Sequence, residues 1–351
     1  MEHIKNIEIK NFKSIRHAEI KDCRRVNVFI GYPNVGKSNI LEGLGLYSIN
    51  EPSLDFSSFV RIETLATIFF NGNIDENAEI KINDHHLCKI ELLDDFLRIQ
   101  RQYAKDAGSF DGTDSQQILR LYEFEIRESQ KAITNFKEAK SPEMIFGHVL
   151  FDIKKYEFNS SASLKQGGYQ HLSIPYGGNI FDVLSANSDI RKGVSDLFNP
   201  YDLKFAFDKA TRTYRIIKNI GEDIFSVSYS MIADTLKRLI FYKTAIQSNN
   251  GATLLFEEPE AHMFAPYVSK FTSEIVSDEN SNQYFIATHS PYVLNDLISG
   301  LDDTELAIYL VSYKKDSGET VIDKMSKEEM HEAYQFGYDF FMNLENFIPQ
   351  A

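Results

Sequence analysis

One segment constrains this chain more than any other, because residues 31–38 read GYPNVGKS and match the pattern G-x-x-x-x-G-K-S. A short apolar run at residues 25–30 precedes it, as expected of a buried strand, and residues 39–47 follow with helical spacing. Strand, glycine-rich loop and helix in this order are typical of a phosphate-binding loop (P-loop), whose backbone N–H groups point at a phosphate. A chance glycine-rich turn would lack these flanking elements. The predicted cofactor-binding residues of the loop are Gly31, Asn34, Val35, Gly36, Lys37, Ser38 and Asn39.

The last two residues of the pattern predict the ligand. Lys37 is expected to place its ammonium group against the β- and γ-phosphates of a nucleotide. The Ser38 hydroxyl is expected to bind Mg²⁺. The sequence therefore predicts ATP and Mg²⁺ as cofactors.

A pair of carboxylates is the second group suited to chemistry. Residues 252–256 are an apolar run that predicts a buried strand, and Glu257 and Glu258 follow directly. A strand of the same sheet would bring both carboxylates to the edge that carries the P-loop. Glu257 could then hold Mg²⁺ through water, and Glu258 could polarise the attacking water. Alone, the pair would better fit a solvated acidic turn.

A histidine follows the next predicted strand. His289 comes directly after residues 284–288 and before Ser290 and Pro291. A neutral imidazole at the end of a strand can hydrogen-bond a γ-phosphate and report its presence. A lone histidine is more often a surface or cap residue, so the assignment depends on its position after the acidic strand. We predict Glu258 and His289 as catalytic residues, and Ser38 and Glu257 as metal ligands.

Composition and charge exclude several classes of protein. Acidic residues outnumber basic ones by 51 to 37, and the formal net charge of −14 excludes a uniformly cationic nucleic-acid coat. A local basic patch stays open, and Lys21, Arg24 and Arg25 could form one. Two cysteines, Cys23 and Cys88, are too few for a disulfide scaffold and suit a reducing compartment. No apolar run approaches the ~20 residues of a membrane span, so we expect a cytoplasmic protein without a membrane partner.

The remaining pattern predicts an α/β fold that is interrupted by other structure. We predict four segments. Residues 1–58 and 201–351 are the first and second parts of one ATP-binding domain, which we call the head, and the first part carries the P-loop. Residues 59–102 are an antiparallel β subdomain, and residues 103–200 are a partly helical insertion. The predicted strands not yet named are residues 4–9, 15–20, 67–72, 78–82, 89–93, 203–207, 214–217, 305–311 and 319–322. The predicted helices are residues 181–198, 232–246 and 266–276.

Four motifs occur in an order that a known family shares: IKNFKSI at residues 9–15, the P-loop, EEPEAH at 257–262 and ATHSP at 287–291. With them the chain resembles the SMC/RecF/OLD-like ATPases, which have ABC-type heads. The resemblance implies an α/β P-loop NTPase fold. It further implies a mixed central sheet flanked by helices, an antiparallel β subdomain and a helical insertion.

The same resemblance implies a role for each matching residue. Glu257 takes the position of the Walker B metal ligand, Glu258 that of the catalytic glutamate and His289 that of the switch histidine. Lys13 and Ser14 match positions that approach the nucleotide, although Lys13 could equally be a charge on a strand surface.

The chain departs from the family at the signature motif. No LSGGQ-like segment is present, and the corresponding place reads SVSYS at residues 226–230. Ser228 or Ser230 could contact a γ-phosphate of an opposite subunit, and a plain helix cap is an equal alternative. The Q-loop glutamine cannot be placed. No D-x-D pattern follows His289, so an attached TOPRIM nuclease is not expected.

These observations predict an ATPase whose two heads close around ATP in a homodimer. The resemblance suggests a DNA-related process or phage defence, with DNA favoured over RNA as a partner. The alternative is a nucleotide-dependent regulatory module that controls a separate effector protein. A P-loop kinase of small metabolites is a third class, and the Glu-Glu pair followed by a histidine argues against it.

Overall fold

Three β-sheets form the framework of the chain, and the P-loop lies between two of them. The computed structural model describes residues 3–104, 118–128, 132–138, 152–165, 167–208, 211, 213–330 and 341. The strands are β1 (Ile7–Phe12), β2 (Ile15–Ile20), β3 (Val26–Ile30), β4 (Ala78–Ile82), β5 (His86–Leu93), β6 (Phe96–Ala104), β7 (Ile118–Arg127), β8 (Ile133–Glu138), β9 (Ile153–Tyr156), β10 (Lys204–Asp208), β11 (Thr213–Ile220), β12 (Asp223–Ser228), β13 (Thr253–Glu257), β14 (Gln283–Ala287), β15 (Leu306–Tyr313) and β16 (Thr320–Lys324). The α-helices are α1 (Lys37–Gly45), α2 (Ile180–Ala186), α3 (Ser188–Asp196), α4 (Asp234–Ser248), α5 (Ala265–Val276) and α6 (Pro291–Gly300).

The central sheet has the strand order β16-β15-β3-β14-β13-β9. β15, β3, β14, β13 and β9 run parallel, and β16 adds an antiparallel edge. β3 and β14 are buried along their whole length, as expected of apolar runs covered on both faces. Because neighbouring parallel strands end on the same side, β3, β13 and β14 deliver the loops that follow them to one edge of the sheet.

Two apolar cores cover opposite faces of the central sheet. Along β3, Val28 and Ile30 belong to one core, and Phe29 belongs to the other. The first core also contains side chains of α2 to α6, and the second contains side chains of α1 and of the antiparallel sheet. α1 packs against β9, β13 and β14. This packing holds the P-loop, which leads into α1, at the sheet edge.

The largest sheet is antiparallel, with the strand order β2-β1-β4-β5-β6-β7-β8. β1 and β2 come from the predicted first segment, and they pair into the same sheet as the strands of the predicted β subdomain. The strands predicted at residues 15–20, 78–82 and 89–93 are confirmed in β2, β4 and β5. The strand predicted at residues 4–9 is confirmed only from Ile7 onward, because β1 begins there and continues to Phe12.

The strand predicted at residues 67–72 is wrong. Two short 3-10 helices, Leu65–Ile68 and Phe70–Gly72, occupy this stretch. Asn71 has a φ of 50°, in the left-handed region that an extended strand excludes. Ile68 and Phe69 are buried, so the apolar run packs into the core as turns.

The segment predicted as a partly helical insertion contains the helices α2 and α3, and it also contains strands that the sequence did not reveal. Polar composition concealed an alternating pattern in β7, where Phe124 and Ile126 are buried. Charged neighbours pair across strands, as Lys137 does with Glu123 at 2.9 Å. β9 joins the central sheet by pairing with β13. Residues 105–117, 129–131 and 139–151, which the same prediction covers, lie outside the described residues.

The strands predicted at residues 203–207 and 214–217 are confirmed as β10 and β11, which pair antiparallel, and β12 adds a third strand that was not predicted. The predicted elements that follow agree with α4, β13, α5, β14, β15 and β16 within a few residues. None of the helices in the described part of the chain is both long and apolar enough to cross a membrane.

Candidate functional site

A cavity of about 680 Å³ opens at the edge of the central sheet where β3, β13 and β14 end. Nine of the residues predicted from the sequence line it, although they come from four separate parts of the chain. They are Lys13, Asn34, Gly36, Lys37, Ser38, Asn39, Glu257, Glu258 and His289. Gly31 and Val35 of the P-loop, and Ser14 outside it, are not among the residues that line the cavity.

Two glycines of the P-loop are required by their surroundings. Gly36 has a φ of 106°, and a Cβ placed on it would lie 2.3 Å from Thr320 Oγ1 and 2.7 Å from Ser14 Oγ. A Cβ on Gly31 would lie 2.1 Å from the carbonyl oxygen of Val311. Any side chain at either position would push the loop away from the sheet. The glycines therefore let the loop lie close against β15 and β16.

A small hydroxyl network supports the loop. Thr320 Oγ1 donates a hydrogen bond to the carbonyl oxygen of Val35 at 2.9 Å and lies 2.6 Å from Ser14 Oγ. Asn39 Nδ2 donates to Ser14 Oγ at 2.6 Å. Ser14 thus connects the P-loop, α1 and β16, and its position suits a brace for the loop.

Lys37 lies in the wall of the cavity at the N-terminus of α1. Its Nζ donates hydrogen bonds to the carbonyl oxygens of Gly31 at 3.0 Å and Tyr32 at 2.8 Å. Burial lowers the pKa of Lys37 to about 8, and the carboxylates of Glu258 and Glu257 oppose this shift. An anion in the cavity would compensate the buried ammonium group, as the phosphate-binding prediction requires.

The two carboxylates have different surroundings. Glu257 ends β13, and its Oε1 accepts a hydrogen bond from Arg61 Nη2 at 3.1 Å. Lys155 Nζ lies 4.0 Å from Glu257 Oε2. Glu258 is the more exposed of the two and has a φ of 42°, a left-handed conformation that non-glycine residues adopt infrequently. The turn after β13 therefore directs neighbouring carboxylates into separate environments.

His289 lies beside Glu258, with 3.6 Å between its Nε2 and Glu258 Oε1. Burial and the nearby Lys37 ammonium group lower the pKa of His289, and Glu258 opposes them. The lowered pKa favours the neutral imidazole, which has one nitrogen that can donate and one that can accept a hydrogen bond.

Sequence reasoning identified Lys13 but missed the charged residues that surround it on the other side of the cavity. Glu42 is fully buried in α1, and it pairs with Lys13 Nζ and with Arg61 Nε. Lys13 Nζ also donates to the carbonyl oxygen of Arg61 at 2.6 Å, and burial lowers its pKa. We call this set the ion-pair wall, and its members are Lys13, Glu42, Arg61 and Lys155. No local pattern connects them, because they lie on four separate parts of the chain.

Further cavity residues come from the end of β9 and from α4. Lys155 is buried and donates to the carbonyl oxygen of Phe59 at 3.1 Å. Burial raises the pKa of Glu157, and the Lys155 ammonium group opposes this. The Arg238 guanidinium lies 4.7 Å from the centre of the Phe158 ring. These residues were hidden because the sequence did not reveal β9 as a strand of the central sheet.

Ser228 and Ser230 lie elsewhere. Their hydroxyl oxygens are 2.8 Å apart, and both residues line a separate cavity of about 340 Å³. Neither is among the residues that line the larger cavity. They are therefore placed away from the P-loop of their own chain.

The donor atoms of the cavity suit a hard cation. Ser38 and Glu257 both line it, and their hydroxyl and carboxylate oxygens are ligands that Mg²⁺ accepts. Arg61 and Lys155 already neutralise Glu257, so a cation would compete with them for this carboxylate.

One known protein and one protein family have sequences related to this chain. One relative, described as "ATP/GTP phosphatase" from Helicobacter pylori, is 20% identical over 319 residues, which cover 82% of this chain and 85% of the relative. Residues 26–295 match the protein family described as "AAA domain, putative AbiEii toxin, Type IV TA system".

Solved structures show the same fold. An SMC head bound to the C-winged helix domain of ScpA is 13% identical, with a TM-score of 0.54 over 94% of this chain and 100% of that chain. An SMC head with an extended coiled coil, bound to the C-terminal domain of ScpA derived from Pyrococcus furiosus, is 13% identical, with a TM-score of 0.51 over 96% of this chain and 99% of that chain. Since the family match spans most of the sequence, the chain belongs to this AAA-domain family, and its fold is that of an SMC/ABC-type P-loop ATPase.

Proposed function

We propose that the chain binds ATP with Mg²⁺ in the 680 Å³ cavity and hydrolyses the bond between its β- and γ-phosphates. The observation that carries the proposal is the convergence of the P-loop, the acidic pair and His289 on this one cavity. The name of the Helicobacter pylori relative, an ATP/GTP phosphatase, supports a hydrolytic activity.

Each residue has a role that its position supports. Lys37 binds the β- and γ-phosphates, and Asn39 and the N-terminus of α1 face the same ligand. Ser38 and Glu257 hold Mg²⁺, which neutralises phosphate charge when it is bound. Glu258 accepts a proton from the attacking water, and neutral His289 hydrogen-bonds the γ-phosphate. Lys13 contacts the nucleotide beyond Asn39, while Ser14 acts through the loop that it supports.

We infer that a second copy of the chain completes the site in the ATP-bound state. Ser228 and Ser230 do not line the cavity of their own chain, and in this arrangement they approach the γ-phosphate held by another copy. A second copy would also exclude water from the phosphates, which strengthens the electrostatic contacts there. The likeness to SMC heads supports this arrangement.

The proposed setting is a DNA-related process or phage defence in the cytoplasm. The resemblance in the four sequence motifs is the reason for proposing DNA as the partner, in preference to RNA. Cys23 and Cys88 are both buried and free, which fits a reducing compartment. The alternative role, control of a separate effector protein, is supported by the family description, which names a toxin–antitoxin system.

Phosphate release from ATP is the test of the proposed function. We expect turnover that requires Mg²⁺, stops when EDTA is added and rises when duplex DNA is present. Slow turnover that neither DNA nor RNA changes would favour the regulatory role. Absence of phosphate release by a folded protein that binds ATP would contradict the proposed hydrolysis.

A further inference from the structure

One carboxylate next to the site has no role in the proposed chemistry. Glu260 lies two residues after Glu258, in the turn that follows β13, and it is not among the residues that line the cavity. Its side chain instead reaches the segment after β14, where His289 lies. The two segments that carry the catalytic residues are thus joined behind the cavity.

The contacts of Glu260 surround the backbone of His289. Glu260 Oε1 accepts a short hydrogen bond from the Thr288 hydroxyl and a second one from the His289 N–H at 3.2 Å. Thr288 Oγ1 in turn accepts from the Ser290 N–H at 3.0 Å. The Ser290 hydroxyl then caps α6 by accepting from the Val293 N–H at 3.4 Å. A continuous set of hydrogen bonds therefore fixes the residues on both sides of His289.

The second carboxylate oxygen of Glu260, Oε2, indicates that the contact between Glu260 and the His289 segment does more than stabilise the fold. Oε2 of Glu260 is buried and has no hydrogen-bond partner among the described residues. Burial raises the pKa of Glu260, and the hydrogen bonds from Thr288 and His289 oppose this. A buried polar atom without a partner costs free energy, and sites retain such atoms where another requirement outweighs the cost.

We propose that Glu260 is a positioning residue, which acts through Thr288 and the His289 backbone to hold the imidazole beside Glu258. The inference rests on the proposed hydrolysis. Two hydrogen bonds to the same oxygen fix the position of Thr288 and the orientation of the His289 backbone relative to Glu260. Without them, the 3.6 Å approach of His289 to Glu258 would depend on backbone contacts alone, chiefly the hydrogen bond from the Glu258 N–H to the Ala287 carbonyl oxygen at 2.8 Å. The proposal concerns the geometry of the reacting groups and not the affinity for ATP.

The experiment compares Glu260→Ala with Glu260→Gln in ATP hydrolysis. An amide oxygen can accept the same two hydrogen bonds, so Glu260→Gln should keep kcat within about threefold of the wild type. Glu260→Ala should lower kcat about 10- to 100-fold, since a displacement of about 1 Å can cost that much. KM and the affinity for a non-hydrolysable ATP analogue should stay within about twofold in both variants.

A second variant and a matched control make the test independent of folding. Thr288→Val keeps the approximate shape of a fully buried side chain but removes both the donor to Glu260 and the acceptor of the Ser290 N–H, and it should lower kcat about threefold to tenfold. Asp296 accepts a hydrogen bond from Thr272 Oγ1 at 2.7 Å between α5 and α6, away from the cavity. Asp296→Ala removes a similar threonine–carboxylate contact and should leave kcat unchanged.

Several results would overturn the positioning role. These are an unchanged kcat in folded Glu260→Ala, equal losses in the Ala and Gln variants, or a rise in KM without a fall in kcat. If Glu260→Ala does not fold, a kcat of Thr288→Val equal to that of the wild type would also overturn the positioning role. Wild-type turnover with unaffected variants would refute the positioning role alone, whereas a wild type that releases no phosphate would refute the proposed function as well.

Discussion

The cavity has two walls that are built in different ways. The motif wall consists of the loops after β3, β13 and β14, and it carries Lys37, Glu258 and His289. The ion-pair wall consists of charged side chains that neutralise each other across the cavity edge. The motif wall depends on backbone geometry within short segments, whereas the ion-pair wall depends on charges supplied by distant segments. The motif wall is therefore expected to act on the phosphates, and the ion-pair wall is expected mainly to hold the site together, with Lys13 as its member that also reaches the nucleotide.

The largest effect is expected on the motif wall, at Lys37. Lys37→Ala should weaken binding of a non-hydrolysable ATP analogue more than about 100-fold, because loss of one partner from a desolvated charge pair costs about 3–5 kcal/mol. Calorimetry measures the affinity. Lys192→Ala, which changes an exposed lysine of α3, is the control and should bind normally. Undiminished affinity in folded Lys37→Ala would remove the P-loop from the proposed site.

A large effect on turnover is expected at Glu258. Glu258→Gln should lower kcat about 100-fold or more while ATP still binds, because the amide keeps the shape and loses the proton acceptor. The stalled complex should also dimerise with Mg-ATP, which light scattering measures.

Glu257→Gln provides the matched comparison within the acidic pair. It should raise the Mg²⁺ concentration needed for binding, since it removes a carboxylate ligand. Wild-type turnover in both variants would place the catalytic groups elsewhere. A Glu258→Gln protein that stays monomeric at all concentrations would contradict the homodimer.

The ion-pair wall should respond through stability. Glu42→Gln leaves Lys13 and Arg61 without their buried carboxylate and should lower the free energy of unfolding by about 2–3 kcal/mol. This loss of unfolding free energy is smaller than the about 3–5 kcal/mol typical of a fully buried ion pair, because the Arg61 side chain is 64% exposed. Urea denaturation measures the change.

The control for this variant is an exposed ion pair. Asp303 lies 2.6 Å from Lys327 at the surface, and Asp303→Asn should cost less than about 1 kcal/mol. A Glu42→Gln protein with wild-type stability but little ATP turnover would show that the ion-pair wall acts on the ligand and does not stabilise the fold.

The smallest expected effect is a pH dependence of binding. The pKa of Lys37 is lowered to about 8, so the free protein loses the ammonium charge as the pH rises through that value. Bound phosphate favours the charged form, and affinity should therefore fall by up to about tenfold for each pH unit above 8. Calorimetry at pH 7, 8 and 9 measures this trend.

Lys37→Arg keeps its charge throughout this pH range, because the guanidinium group stays protonated. Its affinity, even if weaker overall, should be constant between pH 7 and 9. A wild-type affinity that does not change with pH would indicate that another cation binds the phosphates.

Much of the motif wall could be predicted because its information is local. The P-loop is recognised from eight successive residues, and the acidic pair and His289 each follow an apolar run that forms a buried strand. Parallel pairing then requires these strand ends to meet at one edge. The alternating strands β7 and β8 were missed because charged residues on their partly exposed faces resemble the composition of a solvated helix.

By itself the sequence determined the phosphate-binding loop, the order along the chain of the strands that precede the catalytic candidates, and the α/β class of the head. Only the tertiary structure decided that Glu42 holds Lys13 and Arg61 together, and that Glu260 joins the turn after β13 to the segment of His289. The physical reason is the range of the contacts. Backbone turns and strand burial depend on neighbouring residues, whereas these ion pairs and hydrogen bonds join residues 19 to 29 positions apart, which only the packing of the sheets around α1 and β14 brings together.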